Sequence, residues 1–193
     1  MDIRYLKGVG EKRAAQLAKL ELFTAEDLLQ YYPRDYVDYS QPCTVADAPY
    51  DEKCAVRAVV YGKTNGVRVR GGKTVFKVTA GDDTGSLALT YFNAPYAVEK
   101  LVPGDEYIFY GKVGGTLSMR EMTNPTALPV HSAETEPFAA VYPQTEGINS
   151  AYLSKCIRNA LDKRVTLPQH LPEALRRAFR PAGKMDAVRM IPF

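Results

Sequence analysis

The order of apolar and polar positions changes character twice along the chain. Over Glu11 to Leu20, the apolar positions Ala14, Leu17, Ala18 and Leu20 return at helical spacing and predict an amphipathic helix. Thr24 and Asp27 read as a capping box that opens a second short helix through Leu28 and Leu29, and Pro33 ends it. Asp35 to Asp51 is rich in Tyr, Pro, Asp and Ser without a period, and reads as an extended linker wrapping onto the next domain. From Glu52 the period falls to two. CAVRAVVYGK, TVFKVTAGD, GSLALTYF, DEYIFYGKV and a weaker GTLSMREMT are five strand candidates, separated by Asn65-Gly66, Asp82 to Gly85, Asn93 to Gly104 and Gly114-Gly115. After Thr123 the helical period returns. Asn149 or Ser150 caps a helix from Ala151 to about Arg164 on the stripe Leu153, Ile157, Ala160 and Leu161, and Pro172 suits the first turn of another helix to Phe179.

Five short strands with a helix-like insert between the third and fourth match the plan of an OB-fold, a small Greek-key barrel. The expected class is therefore α+β: a five-stranded OB-fold β-barrel over residues 51–130, preceded by a helical segment and linker over 1–50 and followed by a connection and C-terminal helices over 131–193. In this fold the loops after the first and fourth strands, with the face of strands two and three, commonly bind single strands.

Composition narrows the setting. The 193 residues are 46% apolar and 24% charged, enough for one good core and a smaller helical unit. No stretch approaches the roughly 18 uninterrupted apolar residues of a membrane span. The start MDIRYLKGVGEKR has no apolar core followed by a small-residue cleavage site, so a cytoplasmic protein is expected. Cys43, Cys54 and Cys156 are widely spaced with no CxxC pair, and with only His131 and His170 beside them they predict reduced, partly buried thiols rather than a metal site. The end Met190-Ile191-Pro192-Phe193 is apolar, lacks a cap or polar tail, and reads as a cut.

Enzymatic signatures are missing. Gly72-Lys73-Thr74 imitates the tail of a phosphate loop, but Val67 stands where the leading glycine belongs and the surroundings predict a hairpin. There is no Gly-x-Ser-x-Gly elbow and no HExxH helix. Asp82-Asp83 lies in a turn, where aspartate serves the local backbone.

Three features point instead to nucleic acid. Phe92 and Tyr96 lie four residues apart at a strand end; if a short helix opens there, both rings share one face and either stack on bases or plug the barrel. A net charge of +3 is uninformative, but Val56 to Lys77 holds Arg57, Lys63, Arg68, Arg70, Lys73 and Lys77 with no acidic residue. That cluster either tracks a phosphate backbone or keeps a hairpin soluble. The run Leu6-Lys7-Gly8-Val9-Gly10-Glu11-Lys12-Arg13-Ala14 has the form of a helix-hairpin-helix turn, with Gly8, Gly10 and Lys12 either holding a phosphate or packing two helices.

Taken together, LKGVGEKRA (6–14), Phe23 to Leu29, Tyr32 to Tyr36, YFNAPY (91–96), LVPGD (101–105), YPQTEG (142–147), Leu171 to Leu175 and Ile191 to Phe193 resemble the amino-terminal wedge region of the RecG family of ATP-dependent DNA helicases. The resemblance covers nearly the whole chain. It implies an OB-fold wedge that binds replication forks and Holliday junctions during DNA repair and recombination, with Phe92 and Tyr96 stacking at the branch point. Lys63, Arg68, Arg70 and Lys73 are then the expected phosphate contacts. It also implies separate motor domains in the parent chain that use ATP and Mg; this segment itself is expected to hold no cofactor and to hydrolyse nothing. The sequence departs from the family at Tyr91, where Trp is common. The rival reading is an OB-fold platform for a protein or neighbouring domain, its aromatics buried against that partner.

Overall fold

A computed structural model describes residues 1–69, 71–116, 119–143, 145, 147–163, 165–168 and 182–191. In chain order the elements are a 3-10 turn (Ile3–Tyr5), α1 (Glu11–Ala18), α2 (Ala25–Leu29), β1 (Asp35–Asp38), β2 (Lys53–Lys63), β3 (Val67–Arg68), β4 (Thr74–Asp82), β5 (Gly85–Phe92) and α3 (Pro95–Glu99). Next come β6 (Glu106–Gly115), β7 (Arg120–Thr123), β8 (Thr126–Pro129), α4 (Val130–Thr135), β9 (Phe138–Val141), α5 (Ser150–Asp162) and α6 (Lys184–Arg189).

The chain forms two compact units, one from Met1–Val37 with Ala139–Phe193 and one from Asp38–Phe138. The sequence-based division at 50 and 130 thus shifts, because the amino-terminal and carboxy-terminal helices share one core. Leu17, Leu28 and Leu29 are buried in the same cluster as Tyr142, Leu153 and Ile157. The capping box forms as expected: Asp27 N–H donates to Thr24 Oγ1 (3.1 Å) and Thr24 N–H to Asp27 Oδ2 (2.8 Å). Asn149 caps α5 through Oδ1, which accepts from Tyr152 N–H at 2.9 Å. Tyr142 stacks on Tyr31 with centroids 5.9 Å apart. The helix expected over 172–179, and His170, lie outside the described residues.

In the second unit the sheet order β2-β4-β5-β7-β6 closes through a β2–β6 pairing, giving a five-stranded barrel. All of these pairs are antiparallel except β5 with β7. Alternation builds the core: Val56, Ala58 and Val60 of β2 meet Val78 and Ala80 of β4, Leu87, Leu89 and Tyr91 of β5, Phe109 of β6 and Met122 of β7. The last strand is broken after β7 by Asn124, which sits at φ +46, and resumes as β8 along β6. Neither β8 nor α4 is evident from the period, and α4 buries Ala133 while Ile108 is buried on the outer face of β6.

One barrel mouth is covered by Val98 and Leu101 in and after α3, the other by Val45 and Ala48 of the segment read as a linker. Asp82 fastens that second cover: its carboxylate accepts from Val45 N–H (2.8 Å), Thr84 N–H (2.8 Å), Thr84 Oγ1–H (2.6 Å) and Gly85 N–H (3.0 Å). Asp82 therefore serves the backbone, as suits a turn aspartate. The first hairpin differs from expectation, since the turn lies at Gly71-Gly72 (φ +96 and +74) rather than at Asn65-Gly66. Gly66 instead lets the chain pass over Phe76, whose ring a Cβ there would meet at 2.6 Å. Among the described residues no helix is long and apolar enough to cross a membrane.

The barrel yields two stability predictions. Burial alone would raise the Asp82 carboxyl, but the hydrogen bonds from Thr84 and from the Val45, Thr84 and Gly85 backbone outweigh it and hold it below its ordinary value. Its contribution is present above the unfolded-state value and fades as pH falls through the folded one. Asp82→Ala should cost about 1–3 kcal/mol at neutral pH, and the gap to wild type in urea unfolding should narrow in acid. Among the described residues the buried Tyr91 hydroxyl has no partner. Tyr91→Phe should leave stability unchanged or raise it by up to about 1 kcal/mol, whereas Tyr91→Ala should lose about 3–5 kcal/mol in the same assay.

Candidate nucleic-acid interface

The tip begins where β5 ends. Leu87, Leu89 and Tyr91 point inward, so Phe92 must point outward, and the exposures of 2% for Tyr91 and 38% for Phe92 reflect that alternation. The chain then turns at Asn93 (φ +52), Pro95 starts α3, and Tyr96 stands 78% exposed while Val98 enters the core. These exposures remove the barrel-plug reading for both rings. The helical-spacing argument for the pair is corrected too, because Phe92 belongs to a strand and only Tyr96 to a helix.

Asparagines fix this turn. Asn93 tolerates the left-handed conformation and makes a reciprocal pair with Thr74, its N–H donating to Thr74 O (2.8 Å) and its Oδ1 accepting from Thr74 N–H (2.8 Å). Asn124 likewise accepts from Phe92 N–H through Oδ1 (2.8 Å) and donates its own N–H to Thr90 O (2.8 Å). Sequence reasoning misses both residues. The available signal is an asparagine at each strand end, one before Ala-Pro and one before Pro.

The same bonds bring charge to the rings. Thr74 pairs with Arg68 across the β3–β4 hairpin and follows Lys73, so both cations border the Asn93 turn, and both are exposed. Lys77 is exposed further along β4, opposite Thr90. The remaining basic residues of the cluster are engaged or lie outside the described residues. Arg57 makes a bidentate pair with Glu106 (2.8 and 2.6 Å), Lys63 donates to the backbone oxygens of Val98 (3.0 Å), Glu99 (3.2 Å) and Leu101 (2.8 Å), and Arg70 is the one not described.

The glycine turn of the other unit is built for packing on its carbonyl side. Gly8 sits at φ +85, Gly10 caps α1, and Val9 is buried between them. Tyr152 Oη–H donates to Gly8 O (2.9 Å) and Asn159 Nδ2–H to Lys7 O (2.9 Å), tying the turn to α5. Arg13 lies over the Tyr152 ring, 4.7 Å from its centroid, and Lys12 is exposed. Among the described residues no group of His, Cys, Asp or Glu could hold a metal ion. Cys43 and Cys54 are free thiols 3.7 Å apart, and burial together with the neighbouring Cys43 pushes Cys54 up to about 12.

A closed five-stranded barrel of this strand order, with a short helix between its third and fourth strands, is an OB-fold domain. The RecG wedge domain profile matches residues 2–165, and the chain belongs to that family. The ATP-dependent DNA helicase RecG of Streptococcus pneumoniae is 28% identical across 99% of this chain, which spans 28% of that protein. The Escherichia coli K12 helicase of the same name is 30% identical across 91% of the chain, again over 28% of its own length. A structure of RecG bound to a three-way DNA junction superimposes with a TM-score of 0.82 at 25% identity, covering 100% of this chain and 27% of that one.

The role of Asn93 is testable on the free chain. Asn93→Ala loses both the Thr74 bond and the tolerance for positive φ, and should cost about 2–3 kcal/mol. Asn93→Gly keeps the dihedral and should cost only about 1 kcal/mol; thermal unfolding of the two variants measures the difference.

Proposed function

We propose that the chain is the branched-DNA-binding wedge of a RecG-type ATP-dependent helicase, engaging replication forks and Holliday junctions in DNA repair and recombination. The observation that carries this reading is the 78% exposed Tyr96 ring on a braced turn beside Phe92, Arg68 and Lys73. Flat exposed rings stack on base pairs of any sequence, and exposed guanidinium and ammonium groups take phosphates. Phe92 and Tyr96 cap the base pairs opened at the branch, while Arg68, Lys73 and Arg70 hold the backbone. Motor domains elsewhere in the parent chain, using ATP and Mg, draw the arms past the barrel so that the strands part around the tip. Fork reversal and branch migration result, on chromosomal DNA in the cytoplasm. The wedge supplies the obstacle and its direction; the work comes from the motor.

Stacking contributes about 1–3 kcal/mol per base. The Phe92→Ala/Tyr96→Ala double variant, confirmed folded by circular dichroism, should therefore bind a three-way junction at least about tenfold more weakly, with its salt dependence retained. Replacing Arg68 and Lys73 by Ala should instead flatten the dependence of log affinity on log salt, by about one unit per contact. Wild-type affinity in the folded aromatic double variant contradicts the stacking role. Weak junction binding that ignores salt in the wild type would favour a protein-docking platform.

A further inference from the structure

We infer that Lys63 is the positioning residue of the wedge: its ammonium grips the carbonyl end of the short helix that carries Tyr96 and so sets where that ring points. This inference rests on the stacking reading of Tyr96, and it moves Lys63 from the phosphate contacts to the scaffold.

Strand parity is the first observation. Along β2, Val56, Ala58 and Val60 face the core, so unbroken alternation would place Lys63 outside with Arg57. The register slips between Val60 and Gly62: Val60 pairs with Ala80, Gly62 with Thr79 and Lys63 with Val78. Val78 is a core residue, and the extra residue, Tyr61, is the exposed one. The bulge thus puts Lys63 on the face of core residue Val78, and its side chain, still exposed, reaches along the rim of the barrel mouth that α3 covers.

Donor accounting is the second. An ammonium has three N–H donors and no acceptor. At Lys63 all three are satisfied, by Val98 O at 3.0 Å, Glu99 O at 3.2 Å and Leu101 O at 2.8 Å. These oxygens lie at and just beyond the end of α3, where the helix dipole favours a cation; Val98 O also accepts from Leu101 N–H (3.2 Å), so Lys63 adds a second donor to a carbonyl of the last turn. A helix of five residues has little stability of its own, so its direction depends on such external ties. Asn93 secures the segment ahead of α3 through Thr74, and the Tyr107 hydroxyl secures the segment behind it, donating to Lys100 O (3.1 Å) and accepting from Val102 N–H (3.1 Å). Tyr96 lies between these fixed points. Lys63 has no donor left for a phosphate while these bonds hold.

The test compares Lys63→Met and Lys63→Arg in the 193-residue chain. Met keeps the stem and removes the charge. Arg keeps the charge but presents a planar fork that cannot meet three converging carbonyls as an ammonium does. In the free protein, amide exchange at Val98 and Leu101 should accelerate about tenfold or more in both variants. Both should bind a three-way junction more weakly, by about threefold to tenfold, with an unchanged salt slope. Adding either change to Tyr96→Ala should bring little further loss, because the lysine acts through that ring. The inference is overturned if exchange is unaltered in Lys63→Met, or if Lys63→Arg restores wild-type affinity while Lys63→Met flattens the salt slope by about one, as a phosphate contact would. Should Tyr96→Ala leave affinity intact, the stacking reading falls alone, and the exchange rates still decide whether Lys63 holds the helix.

Discussion

Successive side chains of a strand face opposite sides, so Tyr91 and Phe92 cannot both enter the barrel. The rest of the interface depends on this constraint. Tyr91 takes the core position, with a hydroxyl unpartnered among the described residues, and Phe92 is forced outward at the strand's last residue. An exposed ring at a frayed strand end would be a poor contact surface. Here the backbone on either side of it is bonded: Phe92 N–H to Asn124 and the next residue, Asn93, to Thr74. The ring is therefore solvated and held at once, and a stacking surface benefits because less ordering remains to be done on binding.

Charge in the neighbourhood divides by commitment rather than by density. Within one basic stretch, Arg57 is paired with Glu106 and the exposed Lys63 commits its ammonium to the carbonyls at the end of α3, while the exposed Arg68 and Lys73 lie on a hairpin whose backbone is continuous with the tip. A surface pair such as Arg57 with Glu106 adds little stability. Its consequence is subtractive, leaving the attractive charge concentrated nearer the rings. Hairpin, turn and helix thereby form one connected edge of the barrel.

Much of the fold is legible in the sequence because it rests on local rules. The capping box at Thr24 and Asp27, the Asn149 cap and the five alternating strands appear where their chemistry places them. What escapes the sequence is set by tertiary partners. The bulge at Tyr61 reverses the facing of Lys63 and is marked in residue type only by Gly62, a glycine inside the strand that does not say which way the register slips; the Gly71-Gly72 turn displaces the more conventional Asn65-Gly66 because Gly66 is needed beside Phe76. Helical spacing picks out the aromatic pair by assuming one helix, and the pair survives for a different reason, strand parity ahead of a turn. The glycine run at Gly8 and Gly10 has the form of a phosphate-holding hairpin, yet two of its carbonyls are bound by α5, a pairing 144 and 152 residues distant that no local pattern reveals.

The central claim, that the Phe92 and Tyr96 rings lie against bases at a DNA branch, is tested most directly by the ring resonances of a chain labelled at Phe and Tyr, titrated with a three-way junction. Base ring currents should move the Phe92 and Tyr96 ring protons upfield and leave buried Tyr91 in place. Unmoved tip resonances at saturating DNA, with changes confined to the Arg68 and Lys73 hairpin, would contradict the account.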